Sequence, residues 1–357
     1  MDDTENGAGK PRGPKPKIAT MEELSSAIGV SRPTLSRYFQ DPSSVRSSTV
    51  ARIREGLDRV EYVPNFFATR MNRKSTGMIG VIIPYLNDLF FTRLLESIEI
   101  AAMEAGFTVI TQCSHSDPAI EARAAETFMS MSVDGALVAP LGNQSDFEIH
   151  ERLNARLPFV LFDSRPSTMP GVDFVGTDHT QSTGNIVEYL CRVGDPPVFL
   201  AMPRVNFNAV EREVAYVAKM EELGHDPLIV GTEAVRPDWH FEPHGFAILD
   251  HFFSRGQFAD RSILCVNDRV AIGALQAAAT HGLDPGRARR GGLRIAGHDD
   301  YPLCPHTIPA LTTVAQDVEA IGRAAVARLV KKIRAENKPD DQLVTLFDGV
   351  LKVRESA

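Results

Sequence analysis

The sequence predicts an α/β protein with a small all-α module at the N-terminal end and a much larger body built on parallel sheets. Apolar residues recur at helical spacing up to about residue 60, whereas after residue 77 short apolar runs alternate with amphipathic stretches. Charge divides at the same place: residues 10–74 hold 13 Lys and Arg against 6 Asp and Glu, and residues 75–357 hold 25 against 37. A basic module on an acidic body predicts a polyanion-binding head, the alternative being that the basic residues only aid solubility.

Length and composition limit the class of protein further. A chain of 357 residues suits two or three domains, and 43% hydrophobic residues are ample for their cores. No apolar run reaches the ~18 residues that cross a bilayer, and the first residues lack the apolar centre of a secretory signal. We therefore expect a cytoplasmic protein. The widely spaced cysteines predict buried thiols and neither disulfides nor a zinc site; they are Cys113, Cys191, Cys265 and Cys304.

The basic module has the signals of three helices. Thr20 and Glu23 fit a capping box, and Gly29 ends the first helix. Ser31 can cap a second helix, whose first turn tolerates Pro33. A third helix has its apolar residues spaced for one buried stripe, namely Val50, Ile53, Leu57 and Val60. This order is the helix-turn-helix arrangement, in which the second helix enters the major groove of DNA.

The segments "MEELSSAIGVSRPTLSRYF" and "VPNFFATRM" resemble the headpiece and hinge of the lac-repressor (LacI/GalR) family of bacterial transcriptional regulators. The resemblance continues along nearly the whole chain. It implies that the second helix reads operator DNA through Arg32, Pro33, Thr34, Ser36 and Arg37. Pro33 departs from the family pattern because its side chain can offer a base only an apolar contact, such as one to a thymine methyl.

The segment after the third helix is a candidate hinge. Pro64 breaks the preceding helix and Asn65 can cap a new one, but a helix this short is unstable alone. The resemblance implies that it folds on the operator, that Asn65, Ala68 and Met71 match its motif, and that Met71 wedges into the minor groove. The alternative is an ordinary linker in which Met71 packs incidentally.

The body has the alternation of a parallel α/β protein. Strands are predicted in "MIGVIIP", "FTVIT", "GALVAP", "FVLFD", "VFLA", "LIVG", "SILCV", "LRIAG" and "VLKVRES". Helices are predicted over about residues 90–105 and 118–131, and around Ile321, Ala325 and Leu329. Residues 77–357 are too many for one such sheet, so we expect two doubly wound subdomains with a ligand cleft at the carboxyl ends of their strands.

Polar and aromatic residues follow many of these strands. The resemblance to the family, and to the sugar-binding periplasmic proteins that share the fold of its body, implies an effector site formed by Asp88, Phe90, Asp163, Arg165, Arg212, Trp239, Asn267 and Asp299. The chain departs from the family pattern at Ser164, Ala215 and His298. Taken singly, Asp88, Asp163 and Asn267 could instead be helix caps and Trp239 a core residue.

These observations predict the following domains: a flexible tail over residues 1–17, a helix-turn-helix headpiece over 18–62, a hinge helix and linker over 63–76, and a periplasmic-binding-protein-like body over 77–357. Within the body we expect one subdomain of about residues 77–176 and 307–338, and a second of about 177–306 and 339–357.

The sequence favours a homodimeric, ligand-responsive repressor of carbohydrate uptake or catabolism genes, located in the cytoplasm at the nucleoid. Its expected partners are double-stranded operator DNA and a sugar or sugar derivative. The "HDD" at residues 298–300 is a poor metal site because adjacent side chains point to opposite sides, and the chain has no GxSxG, P-loop or GxGxxG motif. We expect no catalytic residue, metal or cofactor. The alternatives are a solute-binding protein without a regulatory role and, third, a DNA-binding enzyme that modifies sugars.

Overall fold

A computed structural model describes residues 14–65, 75–142, 145, 147–166, 169, 171–232, 239–286, 292–335 and 342–357. The chain divides into two compact units, an N-terminal unit (Met1–Thr76) that contains the headpiece, and the body (Gly77–Ala357). None of the described helices is long and apolar enough to cross a membrane.

The headpiece contains three helices and a small parallel sheet. In chain order its elements are β1 (Lys17–Ile18), α1 (Met21–Ile28), α2 (Arg32–Gln40), a 3-10 turn (Pro42–Ser44), α3 (Ser47–Arg59) and β2 (Glu61–Tyr62). The three predicted helices are confirmed. Thr20 Oγ1 accepts a hydrogen bond from the Glu23 N–H at 3.2 Å, and the Glu23 carboxylate accepts one from the Ala19 N–H at 2.9 Å, so both partners of the predicted capping box satisfy free backbone donors.

The headpiece helices meet around a small apolar core. Its buried members are Leu24, Val30, Leu35 and Ile53. Gly29 has φ +70° where the chain turns from α1 to α2, a conformation that glycine adopts without strain. The sequence did not predict that β1 pairs with β2, which places Lys17 opposite Glu61. Lys17 therefore belongs to the headpiece and not to the predicted tail.

The body contains twelve strands and eight helices in its described residues. The strands are β3 (Met78–Ile83), β4 (Thr108–Cys113), β5 (Gly135–Val138), β6 (Phe159–Phe162), β7 (Asp173–Thr177), β8 (Val198–Leu200), β9 (Ile229–Val230), β10 (Ser262–Cys265), β11 (Arg294–Ala296), β12 (Thr313–Ala315), β13 (Val344–Phe347) and β14 (Val350–Lys352). The helices are α4 (Leu89–Glu104), α5 (Pro118–Met131), α6 (Phe147–Arg156), α7 (His179–Val193), α8 (Phe207–Glu222), α9 (Phe241–Phe253), α10 (Asp268–Thr280) and α11 (Val318–Arg334).

The first subdomain is a six-stranded parallel sheet in the order β13-β7-β6-β5-β3-β4. Alternate side chains of β3 enter different cores: Val81 packs with Leu94 of α4, whereas Ile82 packs with Phe128 of α5. Helices α4 and α11 cover one face of the sheet, and α5 and α6 cover the other. The sheet is buried on both faces, as its continuous apolar strands require.

The second subdomain is a four-stranded parallel sheet in the order β11-β10-β8-β9, with helices α7 to α10 around it. Two glycines let α9 and α10 pack closely. A Cβ on Gly245 would lie 2.2 Å from the Val270 carbonyl oxygen, and a Cβ on Gly273 would lie 2.0 Å from the Glu242 carbonyl oxygen. Strands β12 and β14 form a separate antiparallel pair where the chain passes between the two subdomains.

The predicted fold class and all nine predicted strands are confirmed, but three further strands of the body, β7, β12 and β13, were missed. β13 pairs with β7 in the first sheet, so the expectation that residues 339–357 belong to the second subdomain is wrong for residues 344–347. Val344 and Leu346 are exposed at the sheet edge, and the segment therefore lacks a buried apolar run. All four cysteines are free; Cys265 and Cys304 are buried, whereas Cys113 and Cys191 are only half-buried.

Candidate functional site

The exposed side of α2 presents the predicted DNA-reading side chains. Arg32, Pro33 and Arg37 are exposed, Thr34 and Ser36 are half-buried, and Leu35 faces the core; these positions are set by the helical period. α2 itself contains no acidic residue, although Arg32 Nη1 lies 3.2 Å from a carboxylate oxygen of Glu22 on α1. Ser31 occupies the N-cap position, but its hydroxyl bonds the Thr34 hydroxyl at 2.9 Å and caps no backbone N–H.

The predicted hinge is described only in part. Asn65 is exposed and follows β2 by three residues. Ala68 and Met71 lie outside the described residues.

A cavity that is partly open to solvent lies between the two subdomains of the body. Its walls are formed by Asp88, Phe90, Phe91, Asp163, Met202, Asn206, Asn208, Arg212, Trp239, Phe241, Asn267, Asp299 and Gln316. Seven of the eight predicted effector residues are therefore brought together. Asp163 follows the carboxyl end of β6 in the first sheet, and Asn267 and Asp299 follow those of β10 and β11 in the second. The carboxyl ends of strands from both sheets therefore contribute to the cavity.

Arg165 is the exception, because its side chain does not line this cavity. Its guanidinium carbon lies 5.2 Å from the centre of the Phe174 ring. Asp163 has a left-handed backbone (φ +64°), and the Ser164 N–H donates to the Phe162 carbonyl at 2.7 Å. This tight turn, together with Ser164, places Arg165 away from the cavity.

Arg212 and Asp299 form the charged centre of one wall. Arg212 Nη2 donates to Asp299 Oδ1 at 2.8 Å and Nη1 donates to the Val266 carbonyl at 2.9 Å. Asp299 Oδ1 also accepts from Gln316 Nε2 at 2.7 Å and from His298 Nδ1 at 3.2 Å. Burial opposes ionisation of Asp299, but the Arg212 charge and these donors outweigh it and lower the carboxyl pKa.

Two histidines behind this wall are neutral. Burial and the Arg212 charge lower the pKa of His298 to about 4, and burial lowers the pKa of His179 well below its usual value. The His179 Nδ1 accepts from Arg212 Nε at 3.4 Å, and the His298 Nε2 lies 3.0 Å from the Ser182 hydroxyl. The positive charge at this wall therefore comes from Arg212.

Asp163 differs from Asp299 because no arginine bonds it directly. Its Oδ1 accepts from Asn208 Nδ2 at 3.1 Å. Burial raises the pKa of Asp163 to about 7; nearby Asp299 and Asp88 also raise it, whereas Arg212 lowers it. Near neutral pH this carboxyl can accept a hydrogen bond when ionised or donate one when protonated.

Asp88 stands on the opposite side of the cavity. Its Oδ1 caps α4 by accepting from the Phe90 N–H at 3.0 Å, and its Oδ2 lies 3.1 Å from Nη1 of Arg269. Burial raises the pKa of the Asp88 carboxyl, an effect that Arg269 opposes. Both carboxylate oxygens therefore already have protein partners.

The aromatic part of the cavity centres on Trp239, the only tryptophan of the chain. Its ring stacks on Tyr85 with centroids 6.0 Å apart and an interplanar angle of 15°, and it contacts Phe91 and Phe241 at 5.9 and 5.3 Å. Trp239 is 6% exposed, so it is both a buried packing residue and a cavity residue.

Six lining residues were not predicted: Phe91, Met202, Asn206, Asn208, Phe241 and Gln316. A signal for the two asparagines was present, because "VNFN" follows β8 in the way that Asn267 follows β10. Asn206 also caps α8 through the Ala209 N–H at 3.1 Å.

A helix-turn-helix headpiece and a two-subdomain body with a cavity between the subdomains are the parts of a ligand-responsive DNA-binding regulator. Residues 191–357 match the family described as periplasmic binding protein-like domain. The chain is 27% identical over 338 residues to the HTH-type transcriptional regulator MalR of Streptomyces coelicolor, across 93% of this chain and 95% of MalR. It is 26% identical over 322 residues to the HTH-type transcriptional repressor CytR of Escherichia coli, across 89% and 91% of the two chains.

Among solved structures, the lac repressor dimer bound to operator and the anti-inducer ONPF has the same fold. The TM-score is 0.82 at 23% identity, over 94% of this chain and 98% of the repressor chain. The chain therefore has the fold of the lac repressor and is similar, over both the headpiece and the body, to proteins named as transcriptional regulators.

Proposed function

We propose that this protein is a transcriptional repressor whose operator affinity is controlled by a sugar or sugar derivative bound in the body. One observation carries the proposal: a single chain joins an exposed, arginine-bearing helix to a cavity that gathers seven predicted effector residues. The relatives named as regulators match this chain over both parts.

The headpiece has the features of a major-groove reader. α2 can place Arg32 and Arg37 against guanine edges or phosphates, and Thr34 and Ser36 can donate to either. Pro33 offers an apolar face, which suits a thymine methyl. The hinge residues Asn65, Ala68 and Met71 would complete the interface in the minor groove, with Met71 as the wedge.

A homodimer fits this mode of binding, because two headpieces related by a two-fold axis recognise a pseudo-palindromic site. The lac repressor, which shares the fold, is a dimer on its operator. The basic headpiece would supply salt-dependent attraction to phosphates, and the acidic body would limit indiscriminate binding.

The cavity is suited to a neutral, polyhydroxylated molecule. Asp163, Asn267 and Asp299 provide acceptors for hydroxyl groups, and Trp239 provides an apolar face for a ring. Among the described lining residues Arg212 is the only cationic side chain, and Asp299 already pairs with it. A phosphorylated sugar would face an excess of carboxylates.

The mechanism is a linkage between two binding sites. A ligand that bonds both subdomains changes their relative orientation, and hence the ability of two paired hinges to form on DNA. Ligand and operator affinities are then coupled reciprocally, typically by ~1–3 kcal/mol. The protein would act in the cytoplasm, at the nucleoid, by binding and not as an enzyme; a bound sugar recovered chemically unchanged would support this.

The test has two stages. A thermal-shift screen of neutral sugars, sugar acids and sugar phosphates identifies a binder through the rise in unfolding temperature. Fluorescence anisotropy then measures affinity for a duplex selected from random DNA, with and without that ligand. We expect an affinity change of roughly 5- to 150-fold. A ligand that saturates the cavity without changing operator affinity would leave only the solute-binding alternative.

The headpiece is tested with a matched pair of variants. Arg37→Ala on α2 should lower affinity for the selected duplex and reduce the slope of log affinity against log salt by about 1, as expected for the loss of a phosphate contact. Arg59→Ala, at the end of α3, removes another exposed arginine, which pairs with Glu55. Arg59→Ala should change the affinity and the salt slope less than Arg37→Ala does. Equal effects would contradict the assignment of α2 as the reading helix.

A further inference from the structure

Arg269, the second residue of α10, makes an unusual set of contacts beside the cavity. Its Nε and Nη2 bond the two carboxylate oxygens of Glu242 at 2.7 and 2.8 Å, and Nη2 also donates to the Trp239 carbonyl at 3.0 Å. The guanidinium carbon lies 4.9 Å from the centre of the Phe241 ring. These four contacts lie within the second subdomain. The remaining one, from Nη1 to Asp88 Oδ2 at 3.1 Å, reaches the first subdomain.

The second subdomain holds Arg269 in position without help from the first. Gly245 and Gly273 bring α9 and α10 together at the backbone level, which sets Glu242 beside Arg269. A bidentate arginine–carboxylate pair fixes the plane of the guanidinium. The arginine therefore loses little further conformational entropy when it meets Asp88.

Asp88 is equally well placed to receive it. Its carboxylate is 7% exposed and the Arg269 side chain is 16% exposed, so water screens the pair only weakly. Since Oδ1 caps α4 and Oδ2 bonds Arg269, each oxygen already accepts one hydrogen bond from the protein in this arrangement. Asp88, expected from sequence to bind the effector, here joins the two subdomains.

Other contacts cross between the subdomains at the same wall. The Tyr85 and Trp239 rings stack, the Leu89 N–H donates to the Tyr301 hydroxyl at 3.3 Å, and Arg93 Nη1 donates to the Asp300 carbonyl at 3.2 Å. Among the described contacts at this wall, only the one between Arg269 and Asp88 joins opposite charges.

We propose that Arg269 is a positioning residue of the effector site: by pairing with Asp88 it holds the two subdomains closed around the cavity before any ligand arrives. Arg269 then sets how easily the cavity opens without touching the ligand. The inference rests on the proposed function only in treating this cavity as the effector site. A charge-assisted hydrogen bond of this kind shifts the ratio of closed to open molecules by roughly tenfold or more.

Trp239 provides the measurement, because it is the only tryptophan and its ring packs at this wall. Acrylamide quenching of its fluorescence is measured on the full-length, ligand-free protein. Wild type should be well protected. Arg269→Gln and Asp88→Asn should each increase the quenching constant by about twofold or more if opening shifts roughly tenfold. Asparagine still caps α4, so Asp88→Asn mainly removes the charge.

The double variant shows whether the two residues act as a pair. Arg269→Gln with Asp88→Asn should quench no more than either single variant, since each already removes the same interaction. Arg269→Lys keeps the charge without the bidentate geometry and should be intermediate, which also provides a variant if the glutamine protein folds poorly. Arg323→Gln is the matched control, because Arg323 pairs with Glu104 and Glu319 within the first subdomain. It should quench like wild type.

Two results would overturn the inference: wild-type quenching in both Arg269→Gln and Arg269→Lys, or additive increases in the double variant. Operator affinity, measured on the selected duplex, separates this inference from the proposed function. Increased quenching with unchanged operator affinity would support closure by Arg269 and contradict the coupling of the cavity to DNA.

Discussion

Replacing Asp163 by asparagine should remove a pH-dependent cost to the stability of the body. Asp163 is buried, and its pKa is raised to about 7 from 3.8. Between these two values the unfolded chain has released the proton while the folded protein still holds it. The unfolded state therefore binds fewer protons, and the free energy of unfolding falls as pH rises through this window.

The size of the effect follows from the two pKa values. At 1.36 kcal/mol per pH unit, the displacement from 3.8 to about 7 corresponds to about 4 kcal/mol, taken as an upper limit. Above pH 7 the wild type bears this whole cost, and the Asp163→Asn variant does not. Asparagine also suits the left-handed backbone at this position, φ +64°, and can keep the hydrogen bond from Asn208.

Urea unfolding, followed by the fluorescence of Trp239, measures the difference between pH 4 and pH 8.5. We expect the Asp163→Asn variant to match wild type near pH 4 and to gain stability over it progressively up to about pH 7. Asp268, whose pKa burial also raises to about 7, is present in both proteins, and its contribution cancels. Parallel curves for the two proteins over the whole range would refute the reasoning.

Asp173→Asn is a control with the opposite sign. Burial raises the pKa of Asp173, but Arg328 and Lys332 outweigh burial and lower it overall. A carboxyl group whose pKa is lower in the folded protein stabilises the folded state at pH values above its unfolded pKa of about 4. This contribution is lost as the pH falls through the pKa of the folded state. This variant should therefore be less stable than wild type at pH 8, with the difference shrinking below pH 4.

Three further predictions follow. A neutral ligand that donates a hydrogen bond to Asp163 should bind more tightly at pH 8 than at pH 6, because the ionised carboxylate is the better acceptor; calorimetry showing the reverse trend would contradict that contact. Gly273→Ala should lower the free energy of unfolding by about 1–3 kcal/mol, because the new Cβ would lie 2.0 Å from a backbone oxygen. Gly184→Ala is the control and should have little effect, because its Cβ would meet only the flexible Lys219 side chain, at 3.2 Å. Met71→Ala should weaken specific operator binding far more than non-specific binding, and equal losses in anisotropy titrations would contradict the wedge.

Local signals in the sequence were sufficient for the three headpiece helices and for the bounds of some helices of the body. The bounds of α5 agree with the predicted 118–131, because Asp117 caps its start through the Ala119 N–H and Pro118 suits its first turn. The predicted cavity residues came from the resemblance to the family, and several of them meet because they follow the carboxyl ends of strands that face the cavity.

Features that depend on distant partners could not be predicted in this way. Arg269 and Asp88 are 181 residues apart, and neither position shows a local pattern that indicates the other. The strands β1 and β2 have two residues each, too few to show a periodicity. The position of Arg165 depended on a left-handed residue, Asp163, and aspartate is only somewhat more common than other residues in that conformation.

The connectivity of the first subdomain has a consequence for synthesis of the protein on the ribosome. The strand β7 ends at Thr177, but α11, which covers one face of that sheet, begins only at Val318, and the edge strand β13 follows later still. At ~5–20 residues per second, the intervening chain takes several seconds or more to emerge. During that interval α4 alone covers this face of the nascent sheet, and the part over β5, β6 and β7 that α11 later covers stays exposed. The intervening second subdomain is nearly continuous in sequence and can complete its own sheet first. A chaperone that shields apolar surfaces would therefore act on this chain after β7 has emerged and before α11 does.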